Sequence, residues 1–207
     1  MKKIFVALMI VFVTGIFNFV GQNISVNEVC AATNEELARQ KYNEGRDFLN
    51  QENYEQAISK FTEAIQLNPN YVKAYRSRGG SYLIIKKFSE AINDYDKALQ
   101  FEPNNSDLYY GRGMAYFALK NSEQALKDFT KSIQLDPNDP TSYYNRGLVY
   151  GDLKNYQQAI SDFTQAINLA PDYVEAYLCR GLTYEQLGMY EECDADLLMA
   201  KQLGADI

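Results

Sequence analysis

The sequence predicts an all-α array of five 34-residue helix–turn–helix units, and three observations predict it. The pattern Tyr-x-x-Arg-Gly-x-x-Tyr is spelled four times, with its glycine at 79, 113, 147 and 181, and one further step back lands on Gly45. Other columns keep the same step: Ala57, Ala91, Ala125, Ala159 and Cys193; Phe61, Tyr95, Phe129, Phe163 and Leu197; Pro69, Pro103, Pro137 and Pro171. Each copy also holds two apolar-periodic segments of about 14 residues at helical spacing. The copies run near 38–71, 72–105, 106–139, 140–173 and 174–207.

Residues 1–32 stand apart from the array at 33–207. Lys2 and Lys3 precede an apolar run over residues 4–20, and "VCAAT" supplies small residues around a cut. The segment reads as a secretory signal peptide cleaved after Ala31 or Ala32. The alternative is a retained membrane anchor over residues 4–20, although Thr14 and Gly15 interrupt the run and a comfortable span needs about 20 residues. The protein is therefore expected to be exported, to the cell envelope or beyond it, and to touch a membrane only through an uncleaved N-terminus. Thr33 and Glu36 have capping-box spacing, so the first helix is expected to begin there.

Inside a copy, Tyr143, Gly147 and Tyr150 share one face of the first helix, and Ala159, Phe163 and Ala166 share one face of the second. Small residues at Gly147 and Ala159 let two antiparallel helices approach closely. The prolines end the second helix, and Asn70, Asn104, Asn138 and Asp172 are read as N-caps of the helix that follows. In copy five, Asp194 and Lys201 replace the aliphatic residues of the inner copies, so this copy is expected to close the array and complete the chain. A monomer is favoured. Leu198 and Met199, apolar where inner copies are polar, are the surface through which copies would self-associate. Cys193 takes the alanine slot and Cys179 faces elsewhere, so no disulfide is expected.

Arg78, Arg112, Arg146 and Arg180 are each followed sixteen residues later by an Asp: Asp94, Asp128, Asp162 and Asp196. Copy one carries Glu44 and Lys60 at the same places. The pair is swapped and not lost, which predicts an ion pair between the two helices of one copy and not a row of arginines gripping an anion.

A 34-residue period with Gly, Ala and Pro at these offsets resembles the tetratricopeptide repeat (TPR) family, over residues 38–207. The departures are Tyr75, Tyr109, Tyr143 and Tyr177 where the family carries Trp, and Arg where Leu is more usual. The resemblance implies a right-handed superhelical solenoid whose concave surface is lined by the first helix of each copy. It also implies a binding role. The residues expected on that surface are Tyr42, Arg76, Asp107, Tyr110, Met114, Phe117, Tyr144, Asn145 and Leu148. The same stripe could instead pack first helix on first helix between copies. Some family members hold a carboxylate with a Lys/Asn clamp; Tyr42, Asn43, Arg46, Lys73 and Ser77 do not reproduce it.

Composition removes several classes. The chain has no His, which excludes the commonest general base and metal ligand. Its net charge of −7, with no basic run, argues against nucleic acid. There is no HExxH, CxxC, GxSxG or GxxxxGK[ST] pattern, so no catalytic residue, metal or cofactor is expected. The function predicted is a non-enzymatic scaffold binding a protein or peptide. The alternative is a self-assembling structural component of the cell envelope.

Overall fold

The computed structural model describes residues 26–206, so most of the proposed signal peptide or anchor lies outside the described residues. Among the described residues ten α-helices form five antiparallel pairs. Copy one contributes α1 (Val26–Asn50) and α2 (Tyr54–Leu67), and copy two α3 (Val72–Ile84) and α4 (Phe88–Phe101). Copy three contributes α5 (Ser106–Ala118) and α6 (Ser122–Leu135), and copy four α7 (Pro140–Asp152) and α8 (Tyr156–Leu169). Copy five contributes α9 (Val174–Gln186) and α10 (Tyr190–Gln202). No helix among the described residues is long and apolar enough to cross a membrane.

The glycine column is what lets each pair close. A Cβ on Gly147 would sit 2.7 Å from the Phe163 ring, and one on Gly45 would sit 2.5 Å from Phe61. The phenylalanines that fill this space, Phe61, Phe129 and Phe163, are almost wholly buried. Each contributes about 1.5–3 kcal/mol by leaving water. The glycine therefore faces the aromatic ring sixteen residues on, and the alanine column packs beside it at zero exposure. Cys193 is 6% exposed in that column, and both Cys179 and Cys193 are free thiols, as the spacing implied.

Helix ends differ from the sequence reading in two ways. Thr33 does not start a helix: α1 runs unbroken from Val26, so the Thr33–Glu36 capping box lies inside it. The caps of α5 and α7 are Asn105 and Asp139, one residue after the Asn104 and Asn138 expected. Asn105 accepts from the Asp107 amide, and Asp139 accepts from Thr141 and Ser142, with Pro140 opening the first turn. Tyr71 and Tyr173 hold the same place ahead of α3 and α9 without a side-chain cap, so Asn70 and Asp172 are not caps either. The second residue after each first helix is also special. Glu52, Lys86, Lys120 and Lys154 have φ near +60°, a left-handed turn that Gly188 makes in copy five.

The predicted ion pairs form, and each does more than predicted. Arg146 Nε and Nη2 donate to both oxygens of Asp162 at 2.8 and 2.7 Å, while Nη1 donates to Thr130 of the preceding copy at 3.1 Å. Arg78, Arg112 and Arg180 repeat this fork on Asp94, Asp128 and Asp196, with Thr62, Asp96 and Thr164 as the preceding-copy acceptors. Each guanidinium also lies 5.5–5.8 Å from the ring centre of the tyrosine three residues earlier. The ladder thus ties copy to copy as well as helix to helix. In copy one, Lys60 stands 3.3 Å from Glu44, the swapped pair.

Candidate functional site

First helices of neighbouring copies touch, α3 with α5, α5 with α7 and α7 with α9; no pair of second helices does so to the same extent. Helices closer together on one side of a stack lie on the inside of its bend, so the first helices line the concave surface. On each of them the groove residue stands two places before the ladder arginine, about 200° around the helix. Groove and ladder therefore occupy opposite sides.

Several predicted site residues also join the copies. The Tyr110 ring lies 6.0 Å from Phe129, and its hydroxyl accepts from Asn145 Nδ2 at 3.3 Å. Tyr144 packs 5.8 Å from Phe163 and 5.0 Å from Tyr173, and its hydroxyl meets Cys179 Sγ at 3.6 Å. Tyr42 packs on Phe61 and Tyr71 and meets Ser77 at 3.5 Å. Burial pushes the Tyr110 phenol pKa up, and the Tyr173 phenol is pushed up to about 12 by burial and nearby acidic groups. These rings remain half-buried, walling the concave surface while bridging neighbouring copies.

Asn145 is a correction. It is 6% exposed, and its amide already donates to Tyr110 and to the Thr141 carbonyl, so it is not poised to contact an extended backbone. Its partner stands one period plus one residue away, a spacing that column-by-column reading passes over. Arg76 and Asp107, both expected on the concave surface, pair with each other there at 2.7 Å, both well exposed. Met114 and Phe117 are half-buried against the Ala125–Phe129–Val149 cluster, and Leu148 is half-buried on the next first helix. Leu182, 54% exposed at the equivalent place in copy five, extends this apolar stripe.

Copy two departs from the tyrosine rule in a concerted way. Arg76 replaces the groove tyrosine, Tyr95 replaces the phenylalanine, and Gly111 stands where Ser77, Asn145 and Cys179 stand elsewhere. A Cβ at Gly111 would overlap the Tyr95 phenol. The hydroxyl at this joint thus comes from the second helix, which leaves the groove position to a cation.

Two open clefts flank these elements. One of about 390 Å³ lies between copies three and four, lined by Asp107, Tyr110, Asp136 and Asp139 among others. A larger one, about 660 Å³, lies on the ladder side against Arg112, Lys127 and Lys131. Arg112 is already held by two carboxylates there. No acidic or thiol cluster among the described residues could hold a metal ion.

Models described as tetratricopeptide repeat match residues 106–139, 140–173 and 163–195, and one described as TPR repeat matches 45–85 and 81–120. None is a catalytic family. No curated protein sequence matches the chain. Among solved structures, one described as the MamA protein is 24% identical, with a TM-score of 0.73 over 81% of this chain and 92% of that one. YrrB, described as a TPR protein with an unusual peptide-binding site, is 22% identical, with a TM-score of 0.69 over 88% and 94%. Pseudomonas aeruginosa pilF is 20% identical, with a TM-score of 0.76 over 84% and 80%. At these identities the likeness establishes the shared fold.

Proposed function

The chain belongs to the tetratricopeptide repeat family, and from that premise we propose that it is a non-enzymatic scaffold holding a peptide or protein partner in its concave groove. The observation that carries this reading is the apolar stripe Met114, Leu148 and Leu182, which crosses three successive first helices, half-buried at Met114 and Leu148 and exposed at Leu182. An extended peptide laid across it would place side chains on each helix in turn. YrrB, with the same fold and a described peptide-binding site, supports the reading by analogy. The N-terminal sequence adds that the scaffold works outside the cytoplasm, in the envelope or beyond. Capture from an envelope extract, comparing the full chain with Leu148→Asp/Leu182→Asp, tests the groove. The main captured partner is expected to be lost from the variant while its melting curve stays close to that of the parent. Undiminished capture would move recognition to another surface.

Self-association has one observation in its favour. Leu198, 57% exposed, stands in the column of Thr62, Asp96, Thr130 and Thr164, each of which accepts the arginine of a following copy, and Met199 beside it is 38% exposed. Light scattering at roughly tens of micromolar separates the two readings, since a monomer at that concentration removes this one.

A further inference from the structure

The concave face is polarised along its length. Arg39, Arg46, Lys73 and Arg76 project from the first helices of copies one and two, and all four are exposed. Arg39 is paired only within its own helix, to Glu36, and Arg76 only to Asp107. Among the described residues Arg46 and Lys73 have no ion-pair partner. At the equivalent places in copies three to five there is no cation. Asp107 and Glu175 stand in the column of Arg39 and Lys73, and Glu185 stands three residues beyond Leu182 on the same helix; both glutamates are exposed and, among the described residues, have no ion-pair partner. Between the two ends lie Met114 and Leu148.

We propose that the groove selects a dipolar extended peptide: acidic residues over copies one and two, an apolar centre over copies three and four, and basic residues over copy five. This rests on the groove reading above. Like charges facing one another across an interface are unfavourable, so the polarity fixes the direction of the bound chain and disfavours peptides of the opposite order on the same track. Neighbouring helices lie about 8–10 Å apart, so the charged ends are roughly 30 Å from each other. An extended chain covers that distance in roughly 9–12 residues at about 3.3 Å each. In the unliganded groove Asp107 occupies Arg76. An incoming carboxylate displaces it, and because Asp107 is solvated the exchange costs little.

The test uses 12-residue fluorescent peptides sharing one apolar centre, with ends of Glu and Lys, of Ser only, of Glu only, or of Lys only. Binding to the full chain is followed by anisotropy. The Glu/Lys peptide is expected to bind about tenfold tighter than the Ser peptide at low salt, with the gap closing at about 0.5 M salt. Lys73→Glu/Arg76→Glu should abolish the gap. Asp107→Asn should tighten the Glu/Lys peptide by freeing Arg76. If the Ser peptide binds as tightly as the Glu/Lys peptide and both are lost in Leu148→Asp/Leu182→Asp, the groove stands and the polarity is wrong. A Glu-only peptide that binds tightest would also overturn the polarity. Failure of every peptide to bind would overturn both readings.

Discussion

The two sides of the first helices obey different rules. On the ladder side, four copies place the same guanidinium on the same two carboxylate oxygens within 2.7–2.8 Å. On the concave side, equivalent positions hold Tyr42, Arg76, Tyr110, Tyr144 and Leu178. Where three helices meet in a half-buried corner, few side chains satisfy every partner, so the chain repeats itself. Where a side chain ends in a groove, geometry leaves it free, and charge and size vary along the array. The difference teaches that repetition here marks the joint and variation marks the face proposed for recognition. The tyrosines stand between these extremes, because their rings serve the joint and their edges serve the groove.

The comparison breaks most sharply at the ladder. Asp162→Ala leaves a half-buried guanidinium without its carboxylate and should cost about 3 kcal/mol in a denaturant titration. Lys73→Ala, on the concave side, should cost under about 0.5 kcal/mol. Arg146→Glu combined with Asp162→Arg should recover part of the single-variant losses, as the reversed Glu44–Lys60 pair does in copy one. No gain in the double variant over the sum of the singles would refute the pairing as the source of stability.

The tyrosines sharpen the boundary. Tyr110→Phe orphans one amide hydrogen of buried Asn145 and should cost about 1 kcal/mol. Tyr144→Phe loses only a weak contact to a thiol and should cost about half as much. Equal losses would mean that the ring packing, and not the hydroxyl, decides the joint. Asp139 offers a pH-dependent case of similar size. Burial pushes its pKa up, but hydrogen bonds from Ser142 and Thr141 outweigh this and hold the carboxyl below its usual value. Its stabilisation is then present above the ordinary carboxylate range and lost as pH falls through the lowered value. Asp139→Ala should cost about 1 kcal/mol at neutral pH and progressively less in acid. A penalty independent of pH would show that the charge is not what caps α7. The smallest effect is a gain. Lys154→Gly relieves a left-handed backbone at φ +61° and should raise stability by about 0.5 kcal/mol, seen as a small rise in Tm.

The helix pairs and the Arg–Asp bonds were legible because each leaves a periodic trace, and in copy one both partners change sign together. The second arm of the ladder was missed although Thr62, Asp96, Thr130 and Thr164 form a column of oxygen acceptors. It joins residues sixteen apart in the opposite direction, across copies, where only the stack makes them neighbours. Asn145 was misplaced because a polar side chain on the expected groove was read as wet. Its burial follows from the reach of Tyr110, one period plus one residue upstream. The caps slipped by one residue because the turn after each proline is a residue longer than the sequence suggests. The charge polarity of the groove became visible only once Arg39, Lys73, Asp107 and Glu175 were aligned by their place on the first helices.

The division between joint and recognition surface is tested most directly by site-specific photocrosslinking. A photoreactive residue is placed in the full chain at Leu148, at Leu182 or at Lys131, and each variant is exposed to envelope extract. The same partner adduct is expected from positions 148 and 182, on adjacent first helices, and none from 131 on the ladder side. An adduct from 131 with none from either concave position would contradict the assignment of recognition to the varied face.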